Sequence, residues 1–143
     1  MRILLFLRVF ALLTVRHHHN DFPPFAHRER DMDAYHQSLV DLVAFTADLC
    51  AANETEASAG NKAISADLLG LARHAHETAR EIGESDVPRT RCRAYFALRF
   101  LRDNSTAVAL RPDLTPLRDK GIAVFQRIHE IAFETEVAAR NLA

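Results

Sequence analysis

The chain has no tryptophan, two cysteines, four glycines and five prolines in 143 residues. So little glycine and proline excludes a collagen-like, loop-rich or low-complexity protein. Cys50 and Cys92 are too few for a small secreted disulfide scaffold, and with no C-x-x-C or Cys/His spacing they frame no zinc site. They read as reduced thiols of a cytoplasmic protein. Walker A and G-x-G-x-x-G sequences are missing, so no phosphate-cradling loop is recognisable, and there is no G-x-S-x-G nucleophile elbow. An excess of one charge is missing too. Eighteen basic against 19 acidic residues leave −1, which gives no global bias toward nucleic acid or anionic membrane. No apolar run reaches the roughly 20 residues of a transmembrane helix.

What is present is 48% hydrophobic and 26% charged residues, a soluble globular profile with enough apolar surface to offset the entropy of ordering one domain. The near-neutral charge is a cancellation. Residues 1–30 carry five arginines against Asp21 and Glu29, and the rest of the chain carries 13 basic and 17 acidic residues. Residues 1–16 form an apolar segment with Arg8 inside it. Four readings suit the segment: a helix docked on the domain or on a second subunit, a start site called too early with Met32 as the natural one, a weak export signal, or a membrane anchor. The last two would make the protein exported or membrane-associated. Residues 17–31, with His17–His19 and Phe22-Pro23-Pro24-Phe25, read as a linker, since the prolines block helix. The histidine tract has no carboxylate or thiol frame and reads as solvated rather than metal-binding.

Residues 32–143 break into four segments of helical periodicity. The first, about 33–53, aligns Tyr35, Leu39, Leu42, Val43, Thr46, Leu49 and Cys50, with Asp31 or Asp33 as cap. The second, about 58–84, aligns Ile64, Leu68, Leu71, Ala75, Ala79 and Ile82, with Ser58 as cap. The third runs from Pro88 to about Ala109 behind an Asp86 cap, with Ala94, Ala97, Leu98 and Leu101 as its core face. The fourth, about 114–142, opens on Thr115-Pro116 and repeats Leu117, Gly121, Val124, Ile128, Ile131, Thr135, Ala138 and Leu142. Such narrow seams and short connections imply an all-α, antiparallel up-down-up-down four-helix bundle preceded by the apolar segment and linker. That topology sets Cys50 and Cys92 toward opposite ends, too far apart for a disulfide.

Helix 4 is apolar around more of its circumference than the roughly 100° stripe a surface helix needs. The leading expectation is therefore a non-catalytic interaction protein, a homo-oligomer or a partner of another protein. Its interface would comprise Phe125, Ile128, His129, Ala132, Phe133 and Val137. A second expectation, a nucleic-acid accessory module, rests on helix 3, where Arg91, Arg99 and Arg102 share one side with Tyr95 between them. Such a stripe can hold phosphates and stack a base. The alternative for these arginines is pairing with Glu77, Glu81 and Glu84. A third expectation is a metal- or cofactor-dependent helical enzyme built on His129 with Glu130 or Glu134. No Glu-x-x-His supports a bundle metal site, and no metal, cofactor or catalytic residue is assigned. His74, on a strip with Asp67, Thr78 and Glu81, reads as part of a solvated polar face.

Overall fold

The structure, a computed structural model, describes residues 26–142. Residues 1–16, with the readings placed on them, lie outside the described residues, as do His17–His19 and the linker up to Phe25. Four helices follow: α1 (Ala26–Ser58), α2 (Lys62–Gly83), α3 (Val87–Arg102) and α4 (Thr115–Asn141), with one 3-10 turn, Pro112–Leu114, leading into α4. No strand occurs among the described residues. Each helix packs on its two neighbours in a ring, α1 and α3 both touching α2 and α4. Bonds between helices show the directions. Ser65 near the start of α2 donates to Asn53 near the end of α1, and Arg93 of α3 reaches Glu81 near the end of α2. Arg102 at the end of α3 reaches Gln126 of α4, while Arg91 near its start pairs with Glu136. Lys120 near the start of α4 pairs with Asp48 of α1 and closes the ring. The fold is the antiparallel four-helix bundle implied by the seams.

The core lies where the four stripes converge. Leu42, Phe45 and Leu49 of α1 meet Leu68, Leu71 and Ala75 of α2, Ala94, Ala97 and Leu101 of α3, and Val124, Phe125 and Ile128 of α4. Phe45 and Phe125 meet edge to face, with centroids 6.1 Å apart and planes at 88°, an arrangement that sets a positive ring edge on a negative face. Room for Phe45 comes from Gly121, where a Cβ would lie 2.6 Å from Phe45 Cζ and 3.1 Å from Leu101 Cδ1. The α1 stripe differs from expectation at this point. Val43 is exposed and Phe45 is fully buried, because α1 turns toward both α2 and α4 and its buried arc is displaced by that double contact.

Helix boundaries differ from expectation for local reasons. α1 begins at Ala26, inside the stretch read as linker, because nothing after Pro24 interrupts a helix. It also runs past Asn53 to Ser58, and Asn61, not Ser58, sits at the start of α2, without a side-chain cap. The α1–α2 turn has Gly60 at φ 79°, with Asn61 N–H donating to Glu56 O and Gly60 N–H to Ala57 O, the paired bonds of a Schellman stop. The α2–α3 turn repeats both bonds around Ser85 at φ 58°, a left-handed position that glycine would occupy at lower cost. Asp86 caps α3 by accepting from Arg89 N–H. α3 stops at Arg102 rather than Ala109, because the Asp103 carboxylate accepts from both the backbone N–H and the hydroxyl of Ser105. Such local bonds offer the backbone an alternative to helix. Leu114 holds the cap position of α4, without a side-chain bond, and Thr115-Pro116 form its first turn.

The connection over residues 103–114 is tied to the helices below it. Val108 is buried, and its N–H donates to Asp67 of α2. Arg111 reaches Glu56 of α1, whose carboxylate also accepts from Asn61 Nδ2. A second buried carboxylate, Glu81, is 1% exposed, and Arg93 donates to both its oxygens at 2.8–2.9 Å. The strip Asp67, His74, Thr78, Glu81 therefore faces α3 and this connection, not solvent as its polarity suggested. Thr78 is fully buried and donates to His74 O.

Gly121→Ala is expected to lower stability by about 1–3 kcal/mol through overpacking, partly offset by the roughly 1 kcal/mol helix preference of alanine over glycine. Urea unfolding checks it, and a variant as stable as the parent would show that Phe45 yields. Arg93→Ala should cost about 3 kcal/mol, because it strands a buried carboxylate. Glu81→Ala should cost less, since the Arg93 side chain is already 30% exposed and can turn to water. Equal losses would refute that asymmetry.

Candidate functional site

Between α3 and α4 lies an open groove of about 630 Å³. Leu98, nearly buried, forms its apolar floor. Tyr95, Arg99 and Arg102 of α3 line one side, with Asp103 just beyond them, and Gln126 and His129 of α4 line the other. The order follows from helix geometry. Positions 95, 99 and 102 are spaced by four and three residues, so they stack on one edge of α3, as 126 and 129 do on α4. The half-exposed Tyr95 ring is braced by Phe96, with centroids 5.5 Å apart, and by His129 at 6.4 Å. Arg102 donates to the amide oxygen of Gln126 at 2.6 Å, and Gln126 in turn donates to Glu130. The Ser105 bonds hold the Asp103 carboxyl below the usual carboxylate range.

The arginine stripe is divided. Arg91 pairs with Glu136 at 2.9 Å, so one end of the stripe is neutralised, and Arg93, off the stripe, pairs with Glu81. Glu77 and Glu84 belong instead to Arg80 of their own helix. Arg99 has no hydrogen bond or ion pair among the described residues and acts on Asp103 only through space. Three of the four stripe residues, Tyr95, Arg99 and Arg102, meet at the groove.

The six interface residues fall into two groups. Phe125, Ile128 and Ala132 are fully buried against the other helices, so they are core and cannot face a second chain. Ring closure by α1 and α3 covers the arc that looked excessive on an isolated helix. His129 is half-buried beside Tyr95, while Phe133 is 50% and Val137 36% exposed. From Phe133 to Asn141 no α4 residue is buried, so the uncovered apolar surface is the last third of the helix rather than its middle.

Glu130 and Glu134 are exposed, and Glu130 is held by Gln126 and Arg127. Neither is brought to His129, and no three His, Cys, Asp or Glu side chains converge among the described residues. Cys50 and Cys92 are both free thiols. Burial, then the charge of Glu54, raises the Cys50 thiol above its ordinary value, which disfavours the nucleophilic thiolate. Cys92 is exposed on α3, outside the core face of that helix. Sequence reasoning missed Gln126 and the burial of Glu56 and Glu81. A carboxylate one helical face away from an arginine was the signal available for Glu81, whereas Glu56 meets Arg111 across 55 positions.

His74 Nδ1 is buried without a hydrogen-bond partner. Burial, then the charge of Arg93, pushes its imidazole below the ordinary value. The unfolded chain therefore takes up this proton at higher pH than the fold does, and stability falls as pH drops below about 6.5 toward the folded value. Glu56 is depressed by its bonds from Asn61 and Arg111, so its contribution is present above the ordinary carboxylate range and is lost as pH falls through the folded value. Urea midpoints should decline in two acid stages. His74→Gln should remove the upper stage and keep the lower, and an unchanged profile would refute the assignment. The chain matches no protein-family model, no curated protein and no solved structure, so the chemistry of the groove and of the α4 end is read from their own residues.

Proposed function

We propose that the chain is a non-catalytic interaction protein that self-associates through the last third of α4. The observation that carries this is the apolar surface left open there: Phe133 and Val137, at i, i+4 spacing, are 50% and 36% exposed. Full burial of one such side chain contributes about 1.5–3 kcal/mol. The surface is also self-complementary. In an antiparallel pair of α4 helices centred on Thr135, Phe133 of one copy meets Val137 of the other, and Glu130 of one meets Arg140 of the other. Arg140 has no ion pair among the described residues, and Glu130 is exposed. A two-fold pairing uses the same patch twice and closes without leaving a free face.

Nucleic-acid binding through Arg91, Tyr95, Arg99 and Arg102 is the second reading. It is favoured by the unpartnered Arg99 and weakened by the loss of Arg91 to Glu136. Sedimentation of the full chain over a concentration series should show a dimer. Phe133→Ser should weaken it at least about tenfold, the effect of roughly 1.4 kcal/mol. Glu130→Arg should weaken it as well, and adding Arg140→Glu should restore it. A monomer at high micromolar concentration, or a dimer indifferent to these changes, would overturn self-association through α4. A heterologous protein seated on the patch would appear as a monomer in this assay.

A further inference from the structure

We propose that the α3–α4 groove is a binding site for a nucleotide-sized planar anion, with one phosphate held by Arg99 and Arg102 and the aromatic base stacked on Tyr95. The charge around the groove sets the class of ligand. Arg89, Arg91 and Arg93 each pair with a carboxylate, on Asp86, Glu136 and Glu81. Arg102 bonds only the neutral amide of Gln126, and Arg99 has no hydrogen bond or ion pair among the described residues. Asp103, which also lines the groove, is bonded only by the neutral Ser105 and stays ionised, so its charge offsets one guanidinium and a single net positive charge is left for an anion. Two guanidinium groups thus stand at one edge of the groove without a bonded counter-charge, three residues apart on a helix, where their planar forks can converge on one phosphate. Exchanging Gln126 for a phosphate oxygen replaces a bond from the Arg102 guanidinium to a neutral amide with one in which both partners are charged.

The apolar half of the ligand is set by Tyr95 and Leu98. Tyr95 is half-exposed, with Phe96 edge-on at 5.5 Å and His129 at 6.4 Å, so the rest of its ring face is open for an aromatic base to stack on. The volume of about 630 Å³ falls inside the roughly 300–1,000 Å³ typical of small-ligand clefts. A polynucleotide strand fits less well. A strand needs a row of cations, and this row is cut short by the Arg91–Glu136 pair on one side and by Asp103 on the other. One phosphate's worth of charge remains. The site is independent of the α4 patch, since neither Phe133 nor Val137 lines it.

Calorimetric titration of the full chain at low salt would use adenosine monophosphate, adenosine, inorganic phosphate and a short single-stranded oligonucleotide as probes. The monophosphate should bind, and adenosine and phosphate alone should each bind at least about tenfold more weakly, a difference near 1.4 kcal/mol. Arg99→Gln should weaken the monophosphate about tenfold or more, and Tyr95→Leu by about five- to a hundredfold, as loss of one stacked base does. Arg91→Gln, outside the groove, should leave it unchanged. All three side chains are at least partly exposed, and circular dichroism confirms that the variants stay folded. No monophosphate binding at millimolar concentration, or binding indifferent to Arg99→Gln, would overturn the site. Phosphate binding as tightly as the monophosphate would overturn the stacking on Tyr95. An oligonucleotide that binds far more tightly, with a salt dependence of several phosphates, would replace the compact site with a strand-binding one.

Discussion

The close approach of α4 to α1 at Gly121 is the constraint on which the bundle depends. Phe45 fills the space that any side chain at position 121 would need, touches Phe125 edge to face, and with Leu101 brings three helices to one point. A four-membered ring of helices is stable only if the first and last members meet. Here they meet through a glycine on one and a fully buried phenylalanine ring on the other. Position of α4 against α1 in turn fixes its other edge against α3, and so the width of the groove that holds Tyr95 and His129.

Buried charge supplies what apolar packing cannot, namely which faces meet and in what register. Leucine on leucine tolerates a rotation or a slide, whereas the two oxygens of Glu81 accept the Arg93 guanidinium in one arrangement only. Glu56 does the same at the other end, gathering Arg111 from the long connection and Asn61 from the first turn. Ion pairs of this kind contribute little net stability, because desolvation of the carboxylate offsets much of the attraction. Their effect is on uniqueness, since a slipped bundle would leave each carboxylate buried and alone.

Periodicity made the helices and most of the core legible. The α2 and α4 seams are buried as read through Ile131 except at Ile64, Ala79 and Leu117, which are half-buried, and the α3 core face is buried throughout. Val43 was set on the buried face and Phe45 left out of it, because a wheel gives the direction of an apolar arc, not the two neighbours that rotate it. The extent of α3 was misjudged because its apolar spacing continues past Arg102, while the Asp103–Ser105 bonds end it. On the site, the residue types were legible but their state was not. Whether an arginine is neutralised depends on Glu136, which lies 45 positions from Arg91 and meets it only across the α3–α4 packing. The apolar excess of α4 was likewise real but misplaced, because its middle is covered by helices that sequence spacing alone does not position.

The connection over residues 103–114 also bears on the order in which the chain assembles. Turns of three residues, at 59–61 and 84–86, join α1 to α2 and α2 to α3, so those contacts form at small loop-closure cost. Arg111 and Lys120 must instead find Glu56 and Asp48 across 55 and 72 positions. Chain entropy ranks these contacts last. On that ranking the two hairpins, α1–α2 and α2–α3, are expected to form before the connection and its arginine fasten across them.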